Sequence, residues 1–282
     1  MKKFKKLYVE ITNSCNMSCS FCPGTLRPEG FMGRELFEKI MKETQNRALY
    51  TYLHVMGEPL MHPDISDFMD IAAKYGHRVS ITTNGTLVSR LEYLLDKPAL
   101  RSVNFSLHSA EGADNAEYLE KIFAFTYNAA KTGRVSVSFR LWNGGGDISG
   151  NEMLVSAIER AFCPGVKIAA VNTAVNGFRI SERIFVNIAD KFRWPSMTDP
   201  EIPGPAYCKG MREQAAILCD GTVTACCLDK EGIISLGNIE NENFDDIIKS
   251  PRAQAVSSGF GRRECAETLC KKCSYRMRFN SK

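Results

Sequence analysis

Strand-like and helix-like segments alternate along the first two thirds of the chain, and this alternation constrains the fold more than any other feature. Short runs rich in β-branched and aromatic residues, bounded by turn residues, occur at 6–11, 50–56, 78–83, 101–107, 134–141 and 166–171. Helix-like stretches lie between them at 34–46, 65–75, 87–95, 116–131 and 151–161. In the first of these, Leu36, Phe37, Ile40 and Met41 fall on one helical face. Gly76 and Gly133 stand where C-terminal helix caps belong. Six βα repeats imply a parallel sheet with right-handed crossovers. Six are too few to close an eight-stranded barrel. The pattern therefore predicts an α/β fold, a partial (β/α)6 barrel open on one side.

The character changes at 194–207, where Trp-Pro, Asp-Pro and Pro-Gly-Pro mark a linker. The expected organisation is a barrel over 1–193, the linker, and a small module over 208–282. In that module, 214–218 and 222–226 flank Asp220-Gly221, a hairpin signal, and a short helix follows near 244–256. Its length of 282 residues fits two domains at about 150 residues each. A hydrophobic fraction of 44% and a charged fraction of 24% exclude disordered, collagen-like and coiled-coil chains. The net charge of +4 (36 basic against 32 acidic residues) predicts neither an intact nucleic acid nor a membrane as partner. No apolar run reaches membrane-spanning length. The basic N-terminus turns into alternating residues, unlike a signal peptide. These features point to the cytoplasm, where thiols stay reduced and clustered cysteines more often bind metal than each other. The chain has 11 cysteines, an odd count far above what packing needs. The three consecutive glycines within 142–150 lack the Lys-Ser/Thr of a P-loop and read as a flexible loop.

After the first strand comes Cys15-Asn-Met-Ser-Cys19-Ser-Phe-Cys22-Pro23, a C-x3-C-x2-C spacing. Three thiolates this close can wrap three corners of a cubane [4Fe–4S] cluster and leave one iron open. A structural zinc site wants four ligands, usually as two separated pairs. The segment resembles the radical S-adenosylmethionine (SAM) superfamily, whose hallmark is this spacing with an aromatic, here Phe21, before the third cysteine. The resemblance implies that the open iron chelates SAM. Electron transfer then cleaves the sulfonium, and a 5′-deoxyadenosyl radical takes a substrate hydrogen. It also implies roles for later segments. Met56-Gly57-Glu58-Pro59 resembles the family's GGE motif, with Met56 for the first glycine, and would hold the SAM amine largely through backbone groups. Thr83-Asn84-Gly85 looks like the TNG segment, Ser106-Leu107-His108 resembles an S-L-D segment with His108 for Asp, and Arg140 stands where relatives place an arginine against the SAM carboxylate.

Strand parity supports these choices independently. Side chains two apart share a face. Tyr8, Glu10 and Thr12 share one, as do His54 and Met56, Thr82 and Asn84, Asn104, Ser106 and His108, and Ser138, Arg140 and Trp142. The opposite faces carry apolar residues such as Val103, Phe105 and Leu107, which suits the helix-covered outside of a barrel. The polar face therefore lines the lumen, where it needs ligands or water. Glu10, His54, His108 and Trp142 are the candidate substrate-facing, catalytic residues; Phe21, Gly57, Glu58, Asn84, Ser106 and Arg140 are the candidate cofactor-binding residues.

The C-terminal part holds Cys208, Cys219, Cys226, Cys227, Cys265, Cys270 and Cys273. Cys208-x12-Gly221-x4-Cys226, with Cys270-x2-Cys273, resembles the SPASM/twitch module of radical SAM enzymes, which binds auxiliary clusters. Four thiolates close a cubane with no open iron, and sites of four cysteines also suit zinc. Cys219, Cys227 and Cys265 are too few for a second auxiliary cluster, so one auxiliary [4Fe–4S] cluster is expected. Its role is electron transfer or support of the barrel. Cys163 reads as a packed thiol.

The resemblance implies an enzyme that needs an electron donor such as flavodoxin or ferredoxin. The chain starts at the first strand, which favours a small molecule over a leader-bearing peptide. A lyase acting on a deazapurine base such as queuine is one such reading; a peptide-modifying or alcohol-oxidising enzyme is another. From a different class, a non-enzymatic Fe–S electron carrier or regulator would have no use for an open iron or a polar lumen.

Overall fold

The computed structural model describes residues 3–109, 115–144, 151–168 and 177–279. The chain forms two compact units, 1–79 with 192–282, and 80–191.

In the first unit the strands are β1 (Phe4–Val9), β2 (Ala48–Tyr52), β8 (Gln214–Ile217), β9 (Thr222–Thr224) and β10 (Ser235–Asn238), in the order β10-β9-β8-β1-β2. β1 pairs parallel with both β2 and β8, while β8-β9-β10 run antiparallel. Helices α1 (Arg34–Glu43) and α2 (Ile65–Lys74) belong to the same unit and pack on each other. The periodicity of α1 buries Phe37, Ile40 and Met41, and Phe37 stacks on Phe68 of α2 at 4.1 Å between centroids. At the end of α2, Gly76 takes a left-handed φ of +74°, and the Gly76 and His77 amides return to Ala73 and Ala72, as its place in the sequence predicts. β2 is shorter than the 50–56 run suggests, because residues 53–56 leave the strand to form the turn that carries Gly57.

The Asp220-Gly221 hairpin forms as expected. Ala216 faces Thr224, Ile217 faces Val223, and Gly221 takes φ +84°. The helix expected near 244–256 is two helices, α6 (Phe244–Lys249) and α7 (Pro251–Gly261). Pro251 ends the first run because it has no N–H, and Ser250 caps the second through the Ala253 amide at 3.3 Å. A four-residue helix α8 (Thr268–Lys271) precedes the final cysteine.

The second unit has strand order β3-β4-β5-β7-β6, with β3 (Val79–Thr83), β4 (Leu100–Ser106), β5 (Ser136–Gly144), β6 (Phe178–Ser181) and β7 (Ile184–Asp190). β4, β5 and β7 are parallel, and β6 returns antiparallel on β7. Helices α3 (Val88–Glu92), α4 (Asn115–Lys131) and α5 (Asn151–Phe162) connect them. Alternation on β5 is clean. Val137, Phe139 and Leu141 are fully buried, and Phe139 meets Phe105 and Phe162, while Ser138, Arg140 and Trp142 stay partly accessible.

The strand expected at 166–171 is corrected in part. Residues 166–168 are not strand, 169–171 lie outside the described residues, and the parallel neighbour of β5 is instead β7. The β-branched and aromatic run Ile184-Phe-Val-Asn-Ile carried the signal for it. Both units are α/β with mixed strand pairing, and among the described residues no helix is long and apolar enough to cross a membrane.

Candidate functional site

In the first unit the three-cysteine loop springs from the end of β1. Its base is closed by a short bridge between Thr12 and Phe31. Asn13 clamps the loop from inside. Its Nδ2 donates to Pro28 O at 2.9 Å, and its Oδ1 accepts from the Gly30 amide at 2.8 Å. Thr12 Oγ1 donates to Gly30 O at 2.8 Å. Cys15 and Cys22 are exposed and Cys19 is partly so, with the Cys22 amide donating to Cys19 O at 3.0 Å. The result is a braced loop presenting three accessible thiols, with the Phe21 ring partly buried among them.

Glu10 is the hub of this region rather than an open carboxylate. It is fully buried, and both its oxygens accept from Arg27 Nη2 at 2.7 and 2.8 Å. It also accepts from the Met56 amide at 2.9 Å and the Cys219 amide at 3.3 Å. Burial pushes its carboxyl above the usual carboxylate range, against the downward pull of the Arg27 charge. Arg27 in turn donates to Lys230 O at 2.7 Å and lies 3.7 Å from Cys219 Sγ. The expected substrate-facing carboxylate is thus spent on joining the cysteine loop, the β2 turn and the hairpin.

Gly57 follows directly. At φ +74° its Cα rests on the cysteine loop, and an added Cβ would meet Thr12 O at 2.6 Å and Ser14 O at 2.7 Å. The Glu58 amide donates to Ser14 O at 2.9 Å, and the Glu58 carboxylate turns inward to cap the 3-10 turn Pro59–Met61 through the Leu60 amide at 3.1 Å. Gly57→Ala should cost about 1–3 kcal/mol through clash and backbone strain. Urea unfolding of the variant checks this; an unshifted midpoint would mean the two segments do not touch. His54 packs edge-on against Tyr8 and Tyr52, with centroids at 5.7 and 6.0 Å.

The second unit carries the other candidates at the C-terminal ends of its strands. Ser106 on β4 is in register with Arg140 on β5. The Arg140 guanidinium lies over the Trp142 ring at 4.8 Å, and its Nη1 donates to Thr82 Oγ1 at 3.3 Å. Trp142 Nε1 donates to Asn187 Oδ1 on β7 at 2.6 Å. His108 Nδ1 lies 3.1 Å from the Arg140 carbonyl and 3.4 Å from the Trp142 amide, which donates toward it. Asn84 folds into its own turn, its Oδ1 accepting from the Thr86 amide and hydroxyl at 2.9 and 2.7 Å. Its carbonyl accepts from Tyr118 at 2.6 Å. Arg140, Trp142 and His108 are therefore brought together, while Asn84 sits at the end of β3. Asn187 was missed in the sequence because β7 was.

The C-terminal cysteines meet within the first unit. Cys208, Cys226, Cys270 and Cys273 line one cavity, together with Tyr275 and Arg276. Among the described residues no three metal-ligating side chains draw in tightly enough to grip a single ion; these four are spread around a cavity wall instead. Burial pushes the Cys226 and Cys270 thiols well above their ordinary value and Cys273 to about 11. Thiolates in such surroundings require positive charge beside them, which an iron–sulfur core supplies. The donor set fits a cubane. Cys163, in the second unit, is a buried thiol. Cys227 packs with Tyr8, Cys219 with Arg27, and Cys265 is a partly buried neighbour of Cys208.

Known proteins resemble this chain in two segments. The profile of the radical SAM superfamily matches residues 9–132, and that of the SPASM iron–sulfur cluster-binding domain matches 208–274. A "Probable GTP 3',8-cyclase" of Aeropyrum pernix is 30% identical over 131 residues, which is 43% of this chain and 36% of the cyclase. A "Tungsten-containing aldehyde ferredoxin oxidoreductase cofactor-modifying protein" of Pyrococcus furiosus is 33% identical over 125 residues, 43% of this chain and 35% of that protein. The matches thus span well under half of these relatives. Among solved structures, BtrN in complex with AdoMet and 2-DOIA shares the fold at TM-score 0.64 and 19% identity, covering 97% of this chain and 94% of BtrN. SuiB of Streptococcus suis bound to its precursor peptide SuiA reaches 0.63 at 15% identity, over 97% of this chain and 71% of SuiB.

Proposed function

From the match of residues 9–132 to the radical SAM superfamily and of 208–274 to the SPASM domain, we propose that the chain is a radical SAM enzyme that takes a hydrogen atom from a polar small molecule. As an enzyme of this family it works with a [4Fe–4S] cluster, SAM and auxiliary iron–sulfur chemistry. When bound, the cluster supplies the electron that cleaves SAM, and SAM supplies the 5′-deoxyadenosyl group that removes the hydrogen.

In this reading Cys15, Cys19 and Cys22 hold the SAM-binding cluster, beside Phe21. The Gly57–Glu58 backbone, Asn84, Ser106 and Arg140 bind SAM. Cys208, Cys226, Cys270 and Cys273 hold one auxiliary cluster. Glu10 positions the cysteine loop through Arg27. The observation that carries the substrate class is the strand-end group of Arg140, Trp142, His108 and Asn187. A planar cation stacked on an indole, with an imidazole and an amide close by, suits a flat or hydroxylated hydrogen-bonding molecule.

A peptide substrate is the second reading, favoured by the shared fold of SuiB with its precursor peptide. The deciding experiment measures 5′-deoxyadenosine release after anaerobic reconstitution with a strong reductant. Queuine, GTP, an aminocyclitol and short peptides are added in turn. Acceleration by a base or polyol supports the proposal; acceleration by peptides alone transfers it to peptide modification.

A further inference from the structure

The auxiliary cavity contains a buried cation. Arg276 is 2% exposed and lines the same wall as Cys208, Cys226, Cys270 and Cys273. Its Nη1 donates to Pro205 O at 3.2 Å and its Nη2 to Ile202 O. Those carbonyls use two donors and carry no full negative charge, and the buried Asp229 on the same wall spends its carboxylate on the Ile233 and Ile234 amides at 2.9 and 2.7 Å. Among the described residues no carboxylate pairs with Arg276, and its Nε–H is buried with no acceptor in the protein.

A guanidinium stays charged in any protein environment, and burying it without an anion costs several kcal/mol. A cubane with four thiolate ligands is an anion, and it gains one more negative charge on one-electron reduction. We propose that Arg276 is the charge-compensating residue of the auxiliary cluster, with Nε–H donating to a cluster sulfide or a ligand sulfur. This rests on reading the four cysteines as cluster ligands. The cation favours the reduced cluster over the oxidised one, so it raises the reduction potential. Through its two carbonyl bonds it also ties residues 202–205 to the cluster's side of the unit.

The test uses the full chain with Cys15, Cys19 and Cys22 all replaced by Ala, so that only the auxiliary cluster is observed. Its midpoint potential is read by EPR-monitored titration with a one-electron reductant. Arg276→Gln should make the cluster at least about tenfold harder to reduce, a fall of about 59 mV for a one-electron couple. Arg276→Lys, which keeps the charge, should stay much closer to the parent. An unchanged potential in Arg276→Gln with iron retained overturns the proposal, as does an equal fall in both variants. If Arg276→Gln loses its iron, retention by Arg276→Lys supports the role of charge, and loss from both overturns it in favour of a carbonyl clamp. If the Cys-to-Ala parent itself holds no cluster, the assignment of the four ligands fails, and with it the premise.

Discussion

Replacing Cys15, Cys19 or Cys22 with Ala, one at a time, is expected to reduce 5′-deoxyadenosine release to that of the iron-free chain while leaving the fold intact. Both halves follow from the loop's construction. Cys15 and Cys22 are exposed and Cys19 is partly so, and none of the three belongs to the buried core. The loop's shape is held instead by Asn13, Thr12 and Arg27, each bonded across the loop or beyond it. Exposed substitutions of this kind change stability by about 0.5 kcal/mol or less. Activity and stability therefore separate. A variant that keeps parental turnover would refute the assignment of these ligands. In contrast, Ala at Cys208, Cys226, Cys270 or Cys273 should remove the auxiliary cluster and spare the spectrum of the first.

The largest stability effect is expected at Arg27→Met. Glu10 is fully buried while the Arg27 side chain stays 13% exposed, and breaking a buried pair by removing one partner costs about 3–5 kcal/mol, because the other charge is stranded. Glu10→Gln should also destabilise. Its amide N–H2 would replace one oxygen among three donors: Arg27, the Met56 amide and the Cys219 amide. Equilibrium denaturation in urea of both variants and the double variant gives the coupling energy between the two sites. A Glu10→Gln protein of parental stability that has lost turnover would return Glu10 to a catalytic role. Loss of stability in step with loss of the cluster supports the hub.

Much of the candidate site was legible before any coordinates, and for one reason. Candidate ligands that lie a few residues apart show in their spacing, so Cys15, Cys19 and Cys22 and the Cys270–Cys273 pair stand out as candidates. Alternation did the same for β5, where one parity is buried and the other carries Arg140 and Trp142. The similarity of residues 9–132 to radical SAM enzymes speaks against the non-catalytic electron-carrier alternative. Glu10 shows the limit. Parity put it on the polar face, but no local rule names Arg27, Met56 and Cys219 as its partners, which lie 17, 46 and 209 residues away. Arg276 is a similar case. In sequence it is one of several basic residues in a basic tail; burial against Cys208, 68 positions upstream by number (276 − 208), is what gives it meaning.

By itself the sequence determined the α/β class, the two cysteine sets, the hairpin at Asp220-Gly221 and which strand faces are polar, since each depends on residues within a few positions of one another. The tertiary structure alone decided the rest. It set β8 parallel against β1, with Lys6 opposite Gln214, so that a hairpin far along the chain extends the sheet from the first strand. It chose β7 as the neighbour of β5, which brought Asn187 to Trp142. It closed the carboxylate of Glu10 onto Arg27 and gathered four thiols and one guanidinium around a single cavity. Strand pairing and charge burial are long-range choices, settled by which arrangement satisfies every buried backbone group and every buried charge together.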